Sequence, residues 1–157
     1  MSEHAISFTL NGHLHEGRAE ARTSLADHLR QAAGHCGVHL GCEHGACGAC
    51  TVIVDGKAVR ACLMLAVQAQ GCAVRTVEGL AASDGTLHRV QQVLREEHAL
   101  QCGFCTPGIA MTLAALLGGE TRPDAQALEQ AIGGHLCRCT GYQGLRRAAH
   151  RLAGDAP

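Results

Sequence analysis

Ten cysteines dominate the chemistry available to this chain of 157 residues. Thiolates form disulfides, hold metal ions or ligate iron–sulfur clusters, and the redox compartment decides between the first use and the others. The opening residues MSEHAISFTLNG lack a basic stretch followed by an apolar run, so they do not predict a secretory signal. We therefore expect a cytoplasmic protein whose reduced thiols bind metal. A disulfide framework is the disfavoured alternative.

The first set of thiols lies in and just after a glycine-rich loop: Cys42, Cys47, Cys50 and Cys62. The spacing x4 then x2 of the first three is the plant-type pattern for a [2Fe–2S] cluster. Glycines interleave with them at Gly41, Gly45 and Gly48. They let the loop backbone approach a cluster closely. The fourth thiolate is predicted to arrive from the strand that follows the next hairpin.

The second set consists of two close pairs, Cys102-x2-Cys105 and Cys137-x-Cys139. Each pair precedes a predicted helix, whose N-terminal N–H groups and positive dipole end favour negative charge. Four thiolates suit a second [2Fe–2S] cluster, and they also suit a Cys₄ zinc site. The Cys-x-Cys arm favours iron, but spacing alone leaves both metals open. We expect His135 to be a loop residue beside the ligands and not a ligand itself.

Two cysteines fall outside both sets, and we expect Cys36 and Cys72 to be small buried apolar residues. Cys36-x2-His39 and Cys42-x-His44 bear a faint likeness to Rieske ligation, in which two histidines replace two cysteines on one iron. The order and separation of these residues are wrong for such a site. It would also leave three cysteines of the first set without a role.

Residues that alternate between polar and apolar predict short strands in the N-terminal half. Asn11-Gly12 and Asp55-Gly56 are strong hairpin-turn signals, because both positions of such a turn need positive φ. Ser24 is predicted to cap a helix of about ten residues. A mixed sheet crossed by one helix is compatible with a ubiquitin-like roll.

From about residue 80 the apolar period lengthens from two to about three and a half, which predicts helices. Four helix starts are predicted, at Thr86, Thr106-Pro107, Pro123-Asp124 and Tyr142. Four short helices predict a small bundle. The polar segment EGLAASDG between the two patterns marks the expected domain boundary.

Charge and motif content exclude several other functions. The formal net charge is −1, and Lys and Arg are scattered along the sequence, so no basic patch for binding nucleic acid is predicted. No apolar run is long enough to predict a membrane span. The chain has no Walker loop, no G-x-G-x-x-G and no G-x-S-x-G. We therefore expect no catalytic residue here, only redox chemistry carried by clusters.

The motifs GCEHGACGACTV, QCGFCTPG and GGHLCRCTGY, together with Cys62, resemble the iron–sulfur subunit of the xanthine oxidase family of molybdenum hydroxylases. This family includes carbon monoxide dehydrogenase, nicotine, quinoline and isoquinoline oxidoreductases, and acyl-CoA dehydrogenating members. Both cysteine sets are complete and in order, and the resemblance spans almost the whole chain.

The resemblance implies an α+β fold with one [2Fe–2S] cluster in each of two domains. A plant-ferredoxin-like (β-grasp) domain would occupy residues 1–78, and a four-helix-bundle domain residues 79–157. Their ligands would be the two sets of four cysteines described above. Gln101, the first residue of the QCGxC motif, is implied to hydrogen-bond the pterin of a partner subunit. Cys139 would be the cluster ligand nearest that pterin.

The resemblance also implies an electron-transfer subunit of a molybdenum-containing hydroxylase. Electrons would pass from molybdopterin, as its cytosine dinucleotide, on a large subunit through the helical-domain cluster. They would then reach the ferredoxin-type cluster and FAD on a medium subunit, or another acceptor. The expected assembly is a dimer of heterotrimers. A free-standing two-cluster ferredoxin is the alternative, and substrate choice, which belongs to the large subunit, stays open.

Overall fold

Strands occupy the first half, and helices most of the second half, of residues 2–154, the range that the computed structural model describes. The strands are β1 (Glu3–Leu10), β2 (His13–Glu20), β3 (Thr51–Val54), β4 (Lys57–Arg60) and β5 (Ala73–Arg75). The helices are α1 (Leu25–Gln31), α2 (Arg89–Glu96), α3 (Thr106–Leu117), α4 (Ala125–Gly133) and α5 (Gln143–Ala153). Short 3₁₀ turns lie at Ala61–Leu63, Ala66–Ala69 and Val77–Gly79.

The strands form one mixed sheet in the order β2-β1-β5-β3-β4. β1 is antiparallel to β2 and parallel to β5, whereas β3 is antiparallel to both of its neighbours. Both predicted hairpin turns are confirmed. Asn11 and Gly12 have φ of 51° and 86°, and Asp55 and Gly56 have φ of 48° and 80°. These left-handed pairs match the right-handed twist of the flanking strands.

Helix α1 crosses one face of the sheet. Its predicted cap is confirmed, because Ser24 Oγ accepts from the Asp27 backbone N–H at 3.0 Å and donates to the Asp27 carboxylate at 2.6 Å. Leu25 at its start is fully buried in the core that contains Phe8 of β1. The helix ends before Ala32 and has seven residues, so it is shorter than predicted.

Four further helices, α2 to α5, follow as predicted. The predicted cap at Thr86 is wrong: His88 caps α2, and its Nδ1 accepts from the Val90 backbone N–H at 3.2 Å. Thr86 belongs to the preceding turn, in which its carbonyl accepts from the Ala82 N–H at 2.9 Å. The other three predicted starts lie within one residue of the observed bounds.

The sheet also contributes to the core of the helices. Ile53 of β3 is 8% exposed and packs into a core formed mainly by α2 to α5. Fully buried members of this core include Met111, Leu113, Leu128 and Leu152. Helix α3 therefore lies against the sheet and holds the two halves of the chain together. No helix within residues 2–154 is long and apolar enough to cross a bilayer.

Candidate metal centres

The loop between α1 and β3 gathers the first set of thiols. The Cys47 N–H donates to Cys42 Sγ at 3.3 Å. This N–H, followed by the N–H of His44, lowers the pKa of Cys42 to about 6. Cys42 is therefore largely a thiolate at neutral pH, which is the form that ligates metals.

Cys50 and Cys62 form the other half of this set, on the side of the loop nearer the core. Cys50 is only 2% exposed, and its burial raises the pKa of the thiol to about 11. Cys62 lies close to it, and the interaction between the two thiol side chains raises this pKa further. A buried thiol of this kind ionises when a metal replaces its proton. The loop glycines Gly45 and Gly48 have φ of 84° and 81°, as the dense turns of the loop require.

The second set of thiols forms where two loops meet ahead of α3 and α5. Cys102 Sγ and Cys139 Sγ lie 3.6 Å apart at the surface. Cys105 and Cys137 form the inner pair and are close enough for their thiols to interact. Burial raises the pKa of Cys105 to about 12. Each pair thus joins one cysteine from each loop.

Hydrogen bonds around Cys137 fix the second of these loops. Burial alone would raise the pKa of Cys137, but the Thr140 hydroxyl, which donates to its Sγ at 3.2 Å, lowers it overall. The Tyr142 hydroxyl accepts from the Cys137 N–H at 2.7 Å and donates to the His135 carbonyl at 2.9 Å. Tyr142 itself has φ of 63°. These hydrogen bonds and the left-handed backbone at Tyr142 define the shape of the loop.

The two thiol sets touch through their loops, which sequence analysis did not foresee. The Leu136 N–H donates to the Cys47 carbonyl at 2.9 Å. The His39 ring stacks on Phe104 at a centroid distance of 4.7 Å, and its Nδ1 lies 2.7 Å from the Phe104 carbonyl. These contacts join positions 39 and 47 to positions 104 and 136. Only a tertiary structure shows such pairs.

The eight predicted cysteines thus lie in two groups of four. Each group is built of two pairs, which suits a [2Fe–2S] cluster with two thiolates on each iron. Within residues 2–154, no three metal-binding side chains are arranged to hold a single ion.

The remaining cysteines and histidines depart from some expectations. Both were predicted to be buried: this is wrong for Cys36, which is exposed, and holds only in part for Cys72, which is half-buried against the core. The segment around Cys36 turns outward, and Val38 fills the core instead.

His44 Nδ1 contacts the Cys42 carbonyl, so it does not adopt a Rieske-like pose. Gln101 lies exposed beside Cys102.

Two protein-family models match the parts of the chain that contain the two thiol sets. Residues 8–106 match the family model described as a 2Fe-2S iron-sulfur cluster binding domain. Residues 76–150 match a second model, described as a [2Fe-2S] binding domain. The chain is therefore a two-cluster iron–sulfur protein.

Relatives and solved structures narrow the class. The caffeine dehydrogenase subunit gamma of Pseudomonas sp. (strain CBB1) is 52% identical over 151 residues, which cover 94% of this chain and 90% of the relative. The nicotine 6-hydroxylase small subunit of Paenarthrobacter nicotinovorans is 48% identical, with 91% and 86% covered. A chain of quinoline 2-oxidoreductase from Pseudomonas putida 86 superposes with a TM-score of 0.90 at 42% identity, with 97% and 94% covered. The chain belongs to the iron–sulfur small subunits of the xanthine oxidase family of molybdenum hydroxylases.

Proposed function

We propose that this chain relays electrons between a molybdenum centre and a flavin, each carried by a partner subunit of one hydroxylase or dehydrogenase. The observation that carries the proposal is the 2.9 Å hydrogen bond from the Leu136 N–H to the Cys47 carbonyl. Cys47 belongs to one thiol set, and Leu136 is bonded to Cys137 of the other. One hydrogen bond therefore joins the two sets of proposed ligands. The chain itself contributes clusters and no catalytic residue.

The proposed ligands follow the two groups of thiols. The ferredoxin-like domain, residues 1–78, would hold one [2Fe–2S] cluster on Cys42, Cys47, Cys50 and Cys62. The helical domain, residues 79–157, would hold the other on Cys102, Cys105, Cys137 and Cys139. The β-grasp and four-helix-bundle descriptions are supported by the sheet order, with α1 across the sheet, and by the packing of α2 to α5.

The helical-domain cluster is proposed to face the molybdenum subunit. Cys102 and Cys139 are exposed, so this cluster would lie at the surface. Large apolar side chains within three residues of these cysteines in sequence are also exposed: Leu100 at 40%, Phe104 at 47% and Leu136 at 63%. Exposed apolar groups around a redox site favour a protein partner. Gln101 would hydrogen-bond the pterin, which we infer to be molybdopterin cytosine dinucleotide.

The ferredoxin-type cluster is proposed to face the FAD of a medium subunit. Leu63, beside Cys62, is 64% exposed and offers apolar surface there. Relatives named as small or gamma subunits support a multi-subunit assembly. We infer a dimer of heterotrimers in the cytoplasm.

Replacing Gln101 tests the proposed pterin contact. In the purified complex, Gln101→Ala should leave iron content and both [2Fe–2S] EPR signals unchanged, because the side chain is not a cluster ligand. It should lower molybdenum-cofactor content or slow the reoxidation of molybdenum, because one hydrogen bond to the pterin is lost. The control is Gln126→Ala, since Gln126 is exposed in the first turn of α4 and belongs to neither of the cysteine loops. Unchanged cofactor content and turnover in Gln101→Ala would contradict this role.

Purification and metal analysis test the assembly as a whole. Four irons per chain, two for each cluster, and co-purification of a molybdenum-containing subunit are expected. A stable monomer with both clusters and no large partner would instead indicate a free-standing ferredoxin. Zinc in place of iron at the helical site would refute the relay.

A further inference from the structure

His135 is buried where the two halves of the chain meet. Its side chain is 0% exposed, and it lies between the cysteine loop of the first set and helix α3. The clusters do not require a histidine here, because each thiol set already has four members.

Polar groups from both halves of the chain hold one edge of this ring. Nε2 lies 2.8 Å from Thr112 Oγ1 of α3 and 3.4 Å from Arg60 Nη1 of β4. A guanidinium only donates, so in the contact with Arg60 Nε2 is the acceptor. Arg60 also donates to the Gly134 carbonyl at 2.7 Å and to the Thr51 hydroxyl. The ring is thus fixed from the sheet and from α3 together.

The opposite edge of the ring presses against the cysteine loop. A Cβ atom at Gly48 would lie 2.4 Å from His135 Nδ1, so only glycine leaves room for the ring. This Nδ1 is buried and has no hydrogen-bond partner among the described residues. A buried ring nitrogen without a partner is unfavourable, so hydrogen bonding does not hold this edge of the ring. The ring therefore acts through its size and through the edge that Thr112 and Arg60 hold in place.

We propose that His135 is a positioning residue that sets the separation of the two clusters, as a rigid spacer between the cysteine loop and α3. This inference rests on the two-cluster relay proposed above. Gly48 follows the proposed ligand Cys47, and His135 lies two residues before the proposed ligand Cys137. A shift of the ring therefore moves one ligand loop against the other. The hydrogen bond from the Leu136 N–H to the Cys47 carbonyl fixes one point of contact between the loops, and the His135 ring against Gly48 fixes a second.

The test uses the purified complex with both clusters reduced, and it measures the magnetic interaction between them by EPR. This dipolar splitting falls with the inverse cube of the separation, so it reports small shifts. His135→Ala should change the mean splitting and broaden it, because the Gly48 loop relaxes into the space left by the ring. His135→Gln, which keeps an acceptor near Thr112 and Arg60, should restore most of the original splitting. His13→Ala, an exposed position on β2, is the matched control.

Separate readouts distinguish a spacing role from a merely structural one. A merely structural role would lower the melting temperature and iron content but leave the splitting of intact molecules unchanged, and that result would overturn the proposal. Arg60→Met keeps the ring but removes its guanidinium contacts, so it should shift the splitting in the same direction by a smaller amount. An unchanged splitting in Arg60→Met would also overturn it, even if His135→Ala fails to fold. Iron content and the two EPR signals of the unaltered protein test the relay independently.

Discussion

Gly108 lies in the first turn of α3, where that helix meets the loop of the first thiol set. A Cβ atom at this position would lie 2.2 Å from the Gly48 carbonyl oxygen and 3.1 Å from Ala49 Cα. Both contacts are to backbone, which cannot rotate away as a side chain can. Gly108→Ala therefore forces either α3 or the cysteine loop to move.

Two opposing effects set the size of the change. Replacing a helical glycine by alanine stabilises a helix by about 0.5–1 kcal/mol through reduced backbone entropy in the unfolded chain. Overpacking a close contact costs about 1–3 kcal/mol. The overpacking cost exceeds the gain in helix propensity, because the contact is far below van der Waals distance. The free energy of unfolding therefore falls by roughly 1–2 kcal/mol. For a chain of 157 residues this lowers the melting temperature by about 2–8 °C.

Thermal unfolding of the cluster-loaded protein, followed by circular dichroism and by the visible absorption of the clusters, measures this loss. Gly133→Ala is the matched control, since it also lies in a helix and its added Cβ would meet nothing within 4 Å. It should be neutral or stabilising by up to about 1 kcal/mol. If Gly108→Ala melts at or above the temperature of the unaltered protein with both clusters retained, the close approach of α3 to the loop is refuted.

Two further predictions concern the thiol sets and a buried histidine. Cys42→Ser and Cys102→Ser should each remove one of the two EPR signals and half the iron; loss of the same signal in both variants would refute the assignment. Burial, and then the neighbouring His15, lower the pKa of His28 below its usual 6.5. The unfolded chain therefore binds more protons below pH 6.5, and stability is lost as the pH falls through the lower folded pKa. His28→Phe, beside Phe8, should flatten the fall of the urea midpoint between about pH 7.5 and 5.5, and equal slopes in both proteins would contradict this.

Local signals in the sequence predicted much of the fold. Asn11-Gly12 and Asp55-Gly56 specify their hairpins because few other residue pairs accept positive φ at both positions. Ser24 and the change of apolar period near residue 80 likewise act over a few neighbouring residues. The grouping of the thiols could be predicted because metal ligation restricts cysteine spacing.

Features that depend on distant contacts were not predictable in this way. One local feature was also missed: Thr86 is a better cap by residue type than His88, but the turn over residues 82–86 already uses its carbonyl. Cys36 has the chemistry of a buried residue, yet Val38 takes the core position. His135 looked like an ordinary loop residue, because nothing near it in sequence indicates that Gly48 will pack against its ring.

The position of Ile53 restricts how this protein can be divided or recombined. It belongs to a strand of the sheet, but its side chain lies in the core of the helices. A fragment ending near residue 78 would expose this isoleucine to water and leave the Arg60 guanidinium without its Gly134 acceptor. Such a fragment would be prone to self-association. Chimeras with other redox proteins should therefore exchange the sheet and the helices as one piece, with a splice before Glu3 or after Ala153.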